Sequence, residues 1–208
     1  MTKTIFVTAT ATNVGKTYTT LKILELFYAK GVKAVPFKPI ETGVETIPLD
    51  ASALLDKYRS LYDDNTLCLD DICPYRFAMP AAPYVAKNGQ DISMETIKSS
   101  LQKLKTYAEV VVIEGAGGLF VPIERDFFMI DLAKELTDFT ILVSHTGLGC
   151  INDALLSKKV LQNAQIPHEL IFNRREDDDF ESVSKPFLKE YLSAVYEVED
   201  LESVLQFL

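Results

Sequence analysis

Cysteine is scarce in this chain of 208 residues: three are present, Cys68, Cys73 and Cys150, an odd number with no paired spacing. That excludes a disulfide framework, and no second ligand pair accompanies Cys68 and Cys73 to make a zinc knot. The thiols read as reduced and structural, which fits a cytoplasmic protein. Long apolar runs are missing too, since no stretch approaches the roughly 18 apolar residues of a membrane span. Met1-Thr2-Lys3-Thr4 passes straight into a strand pattern, so no signal peptide is expected. Positive charge is in deficit: 21 Lys and Arg against 30 Asp and Glu give a net charge of −9. Without a basic field the chain is not a general nucleic-acid or membrane-surface binder, although one pocket can still be locally positive. Internal repeats and interdomain linkers are absent, and one domain over residues 1–208 is expected.

What is present begins at the N-terminus. The apolar strand Thr4-Ile5-Phe6-Val7 runs into Thr8-Ala9-Thr10-Ala11-Thr12-Asn13-Val14-Gly15-Lys16-Thr17 and then into a helical pattern. Strand, tight loop, Gly-Lys-Thr and helix is the arrangement that cradles nucleotide phosphates. Amides at the helix start face the anion, the lysine reaches the β- and γ-phosphates, and the threonine hydroxyl ligates Mg2+. The full pattern wants glycine where Thr10 stands, and Gly-Lys-Thr alone is a weak signal; its place directly after a β-branched strand strengthens it. The alternative is a surface turn with a capping threonine.

A second motif supports the first. Val110-Val111-Val112-Ile113 reads as a strand buried on both faces, as in a parallel sheet, and Glu114-Gly115-Ala116-Gly117-Gly118 follows as an acid and a glycine-rich turn at its carboxyl end. Ligands of open α/β sheets bind at that edge, where Glu114 could hold Mg2+ directly or through water. Lys38 ends another strand and could neutralise a transferred phosphoryl group or a bound acid, or be merely a solvated strand-end lysine. Asp50 opens a helix, as a cap or as a metal ligand. Thr146-Gly147-Leu148-Gly149-Cys150-Ile151-Asn152 joins strand to helix with amides suited to an anion. His145 and His168 have no evident partner and read as packing or surface residues.

The pattern alternates strand and helix. Strands are expected at 3–8, 32–37, 109–114, 139–144 and 169–172. Helices are expected at 14–30, stopped by Gly31, and at 50–62, 93–107, 128–136, 150–163 and 182–192, with an acidic turn from Glu176 to Glu181. Cys73 to Pro83 reads as a long irregular loop. Strands separated by helices of this length imply an α/β three-layer sandwich with a mainly parallel sheet, of P-loop NTPase type.

Taken in order, the phosphate-loop run, Lys38-Pro39-Ile40-Glu41-Thr42-Gly43, Pro74-Tyr75-Arg76-Phe77, Glu114-Gly115-Ala116-Gly117-Gly118 and Leu148-Gly149-Cys150-Ile151-Asn152 resemble the dethiobiotin synthetase family, from about residue 4 to about residue 173. The resemblance implies an ATP-dependent ligase of biotin biosynthesis that joins 7,8-diaminopelargonate and CO2 with MgATP. It implies nucleotide contacts from Asn13, Val14, Gly15, Lys16, Thr17, Tyr18, Glu114, Gly117 and, at the base, Asn173. Thr17, Asp50 and Glu114 resemble the Mg2+ ligands, and Lys16 and Lys38 the catalytic cations. Thr12, Lys38 and Thr42 resemble residues lining the diamine and carbamate site. Gly149, Cys150, Ile151 and Asn152 resemble the segment that receives the substrate carboxylate from a neighbouring subunit, which implies a homodimer with active sites at its interface. The chain departs from the family at Ala9 and Asn13, and Tyr196 to Asp200 lacks the Gly-x-Ile-Pro stretch near the base pocket, so weaker ATP-over-GTP selectivity is expected. Ala11 stands where partitioning ATPases of the same broad class carry a second lysine.

Overall fold

A strand of consecutive valines needs apolar cover on both faces, and the chain supplies it with helices on either side of a parallel sheet. The computed structural model describes residues 2–174 and 179–206. Its elements run β1 (Lys3–Ala9), α1 (Lys16–Ala29), β2 (Ala34–Phe37), β3 (Ile40–Thr42), α2 (Leu49–Tyr62), α3 (Leu69–Ile72), β4 (Tyr75–Phe77), α4 (Pro83–Ala86), α5 (Met94–Lys105) and β5 (Val110–Gly118). They continue with β6 (Pro122–Glu124), β7 (Phe127–Phe128), α6 (Met129–Leu136), β8 (Phe139–His145), α7 (Cys150–Asn163), β9 (His168–Asn173), α8 (Phe180–Val183), α9 (Lys185–Tyr191), β10 (Tyr196–Glu197), a 3-10 turn at Val198–Asp200 and α10 (Leu201–Val204). The main sheet has six strands in the order β10-β9-β8-β1-β5-β2, and every pair in it is parallel.

The period-two alternation of the strands sorts side chains between two layers. Ile5 and Val7 of β1, with Val110 and Val112 of β5, meet Ile23, Leu24 and Phe27 of α1 and Leu201 and Val204 of α10. Phe6, Val111 and Ile113 point the other way, onto Ile97, Leu101 and Leu104 of α5 and Leu132 and Leu136 of α6. Cys150, Ala154 and Leu161 of α7 close over Leu142, Leu170 and Phe172. The expected three-layer α/β sandwich is what forms. Gly31 stops α1 as expected. It takes φ 71°, its amide donates to Tyr28 O at 3.0 Å and the amide of Val32 donates to Phe27 O at 2.9 Å, the paired bonds of a left-handed helix end.

Three stretches differ from the sequence expectation. The segment from Cys73 to Pro83 is not an irregular loop throughout: β4 pairs in parallel with β3 through Ile40–Tyr75, Glu41–Arg76 and Thr42–Phe77. Strands this short carry too few alternating positions to declare themselves. The glycines after Glu114 do not turn at once. After a register shift between Val7 and Ala9, β5 runs on until Gly118 stands opposite Ala9, where an added Cβ would come within 3.2 Å of Ala9 O. The helix expected at 182–192 is broken at Ser184 into α8 and α9. Pro186 has no amide to continue the ladder, and it sits in the first turn of α9, where a helix tolerates it. The acidic turn from Glu176 to Glu181 falls partly outside the described residues.

Candidate active site

Strand register explains the site. β2 and β5 pair Phe37 with Ile113, so the next residues, Lys38 and Glu114, emerge side by side at the carboxyl edge of the sheet. β1 pairs Val7 with Glu114 on the other side of β5, and the phosphate loop rises from that same edge. Helix α1 begins at Lys16, with Gly15 at φ 107° and ψ 27° as its N-cap. Glycine suits the position: a side chain would be strained at that φ, and a Cβ on Gly15 would lie 2.0 Å from Asn173 Nδ2 and displace that side chain.

The charges converge tightly. Lys38 Nζ lies 2.6 Å from Glu114 Oε1 and 3.1 Å from Asp50 Oδ2, and it donates to Gly115 O at 3.2 Å. The Thr17 hydroxyl lies 3.0 Å from Asp50 Oδ1 and 3.1 Å from Glu114 Oε1. Lys16 Nζ donates to Ala11 O at 3.3 Å, folding back over its own loop. Lys38 is 2% exposed and Glu114 0%. Burial opposes charge on Lys38, but Glu114 and Asp50 outweigh it and hold the ammonium well above the ordinary lysine range. Asp50 is likewise disfavoured by burial, yet the charge of Lys38 and the bonds from Lys38 and Thr17 hold its carboxyl below the usual value. Lys16 is pulled down to about 8, first by burial and then by repulsion from Lys38.

Above these residues opens a cleft of ≈ 440 Å³ bordered by Thr12, Asn13, Gly15, Lys16, Thr17, Tyr18, Lys38, Glu41, Thr42, Asp50, Ala116 and Gly117. Gly117 has φ 66°, and a Cβ there would come within 2.6 Å of Val121 Cγ2. Most residues singled out from the sequence therefore share one cavity wall. Glu114 lies beneath its floor, and Val14 is buried behind the loop. Asn173 approaches from the end of β9 and donates from Nδ2 to Val14 O at 2.9 Å, tying that strand to the phosphate loop.

Gly149, Cys150, Ile151 and Asn152 are not brought to this cleft. They form the start of α7, where Gly149 is the left-handed N-cap. The Cys150 side chain is packed among Leu142 and Phe172 and Ile151 is half-buried against the same cluster, while the Cys150 amide donates to Gly147 O at 3.0 Å; Gly149 and Asn152 are exposed. His145, read as partnerless, is paired: Nε2 lies 3.1 Å from Asp153 Oδ2 across the turn into α7. The helix period puts Asp153 one turn inside α7, an approach that spacing alone does not reveal. His168 Nδ1 lies 2.7 Å from Ile166 O.

Asp50 does not cap α2. Its carboxylate faces Thr17 and Lys38, and the capping is done by Glu41, a residue to which the sequence pattern assigned no role. Glu41 Oε1 accepts from Asp50 N at 3.0 Å and Oε2 accepts from Ala51 N at 2.8 Å. The one available signal was Pro48 at the N-cap position, which offers no side-chain acceptor. Thr17, Asp50 and Glu114 together present hard oxygen donors, and Glu114 Oε2 is buried without a hydrogen-bond partner among the described residues. Such a set suits Mg2+, which takes one or two carboxylates and completes its shell with water and phosphate. No group of ≥ 3 His, Cys, Asp or Glu that could hold a metal ion occurs among the described residues.

Fold and site together define a P-loop α/β protein, built to hold a nucleotide at the carboxyl edge of a parallel sheet. Comparison with known proteins agrees at two depths. Solved structures share the fold: a plasmid partition protein from Borrelia burgdorferi superposes with TM-score 0.63 at 14% identity, covering 99% of this chain and 97% of that one. The MinC:MinD cell division complex of Aquifex aeolicus gives TM-score 0.52 at 19% identity, covering 98% of this chain and 78% of that one. Sequence comparison reaches further. A family profile described as an AAA domain matches residues 3–204. A protein of Sulfurovum sp. named ATP-dependent dethiobiotin synthetase BioD is 45% identical over 185 residues, 88% of each chain. Its namesake in Wolinella succinogenes is 38% identical over 209 residues, 98% of this chain and 97% of that one, and that of Helicobacter pylori strain Shi470 is 36% identical over 193 residues, 89% and 88%. The chain belongs to the ATP-dependent dethiobiotin synthetases, a family of ATP-dependent ligases.

Proposed function

We propose that this protein is a cytoplasmic, homodimeric dethiobiotin synthetase that closes the ureido ring of dethiobiotin from 7,8-diaminopelargonate, CO2 and MgATP. The observation that carries the reading is the meeting of Lys16, Lys38, Thr17 and Asp50 at one cleft wall, with Glu114 beneath them, because the chemistry needs cations where two anions must touch. Residues 13–18 and Gly117 receive the triphosphate, with Lys16 at its β- and γ-phosphates and loop amides around it. Asn173 lies toward the base. Thr12, Thr42 and Lys38 line the diamine end. Gly149 to Asn152 of a second subunit receives the substrate carboxylate. Thr17, Asp50 and Glu114 would hold Mg2+, which when bound neutralises developing charge on the phosphates.

The reaction then balances as follows. One amine of the diamine attacks CO2, a C–N bond forms and a proton is lost, giving a carbamate. A carbamate oxygen attacks the γ-phosphorus and the bond to ADP breaks, giving a carbamic–phosphoric anhydride. The second amine attacks its carbonyl carbon, the C–O bond to phosphate breaks and a proton leaves, closing the ring. Lys38 offsets the repulsion between carbamate and triphosphate, and no protein nucleophile is required.

The test is phosphate release from MgATP with bicarbonate, with and without diaminopelargonate. Release that depends on the diamine, with dethiobiotin formed in equal amount, is expected. Release that ignores the diamine would remove the ligase reading.

A further inference from the structure

The first turn of α2 is held from outside the helix. Pro48, at its N-cap, makes no side-chain cap bond, and the amides that open the helix are gripped instead by Glu41 on β3. Its two oxygens divide the work, one on Asp50 N and one on Ala51 N. Glu41 is only 6% exposed, and its strand is anchored by pairing to β4. Both of its oxygens are engaged by backbone donors, so a residue that borders the cleft acts on the residue next to it.

That residue is Asp50. Its amide is bound by Glu41 while its carboxylate reaches Thr17 and Lys38. The Asp50 side chain is 43% exposed, so packing does little to immobilise it. What fixes its reach is the grip on its own peptide. We infer that Glu41 is a positioning residue for Asp50, which holds that carboxylate against Thr17 and thereby sets the affinity of the site for a divalent cation. The inference rests on the reading of Asp50 as a metal ligand given above. The same two bonds cap α2 and fix the peptide that carries the Asp50 carboxylate. A capping residue that served only the stability of α2 would lower the melting temperature and leave metal affinity alone.

Mn2+ binding, followed by the electron paramagnetic resonance signal of the free ion in the presence of ADP, tests this without turnover. Glu41→Ala is expected to weaken Mn2+ binding about tenfold or more, the usual effect of losing a group that orients a metal ligand. Its affinity for metal-free ADP stays as in the unchanged protein. Glu41→Gln keeps one acceptor and is expected to fall between the two; it carries the test if Glu41→Ala does not fold. Raising Mg2+ should restore turnover to Glu41→Ala, which is a KM effect on the metal, and should not restore it to Lys38→Ala. Mn2+ affinity within about twofold of the unchanged protein in Glu41→Gln and Glu41→Ala, with Asp50→Ala clearly weakened, would overturn the positioning role alone. Unchanged affinity in Asp50→Ala would overturn the ligand reading, and the inference with it.

Discussion

Removing the charge of Lys38 is the sharpest perturbation the structure offers. Lys38→Met keeps most of the volume and deletes the ammonium that lies 2.6 Å from Glu114 and 3.1 Å from Asp50. Glu114 is 0% exposed, so its carboxylate cannot recover water, whereas Asp50 is 43% exposed at the side chain and loses little. Breaking a buried pair by deleting one partner costs about 3–5 kcal/mol. The lower end applies here, because the Thr17 hydroxyl, 3.1 Å from Glu114 Oε1, can turn its one hydrogen from Asp50 to Glu114. About 3 kcal/mol in a domain of this size corresponds to a fall in Tm of about 6–12 °C. The double variant Lys38→Met/Glu114→Gln should regain most of it, since no unpaired charge remains. The effect also has a pH sign. Asp50 is held below its usual pKa by Lys38, so that part of the stabilisation is present at neutral pH and is lost as pH falls below about 4. The gap between variant and unchanged protein should therefore narrow in acid. Differential scanning calorimetry on the metal-free proteins reads all of this. A fall in Tm smaller than about 2 °C at neutral pH would show that Lys38 is not the counter-charge of the buried glutamate and would refute the electrostatic account of the site. In turnover assays Lys38→Ala should lose dethiobiotin formation while keeping most of its nucleotide affinity; unchanged turnover would remove Lys38 from the reaction.

Two further outcomes follow from the loop. Lys16 is depressed to about 8 in the nucleotide-free protein, so metal-free ADP should bind equally well below that pH and progressively less tightly above it, as the ammonium is lost. Isothermal titration calorimetry across pH checks this, with Lys16→Arg expected to flatten the profile; a flat profile in the unchanged protein up to about pH 9.5 would contradict it. Asn173 commits one Nδ2 hydrogen to Val14 O, which fixes the direction of its side chain and leaves one N–H and Oδ1 for other partners. Because Tyr196 to Asp200 lacks the Gly-x-Ile-Pro stretch near the base pocket, ATP should be preferred over GTP by less than about tenfold in competition binding, and a preference beyond about a hundredfold would refute this.

The parts of this architecture legible in the sequence are those with local causes. The valine run of β5, the Gly31 helix stop and the Gly-Lys-Thr helix start each announce themselves within a few residues. Lys38 and Glu114 could be nominated because strand ends in α/β sheets face ligands, but their contact depends on the pairing of Phe37 with Ile113, which a single strand does not encode. The same holds for Asp50. As a residue near a helix start it had two readings, and what separates them is Glu41, which takes over the capping from nine positions upstream. The partner of His145 lay a helical turn into α7, and the pairing of β3 with β4 was carried by strands of three residues each. Each of these depends on tertiary approach rather than on propensity.

With β1 set between β5 and β8, Ile5 finds its neighbours in Val112 and Phe139, on the order of a hundred positions downstream. The phosphate loop is short and contiguous, yet the strand that launches it has no flanking strands until most of the chain exists. During synthesis the apolar Ile5-Phe6-Val7 stretch must wait with both hydrogen-bonding edges open, a condition that invites pairing with other chains and calls for shielding. Nucleotide capture in this protein is therefore among the last abilities to arrive as it is made, however early its signature is written.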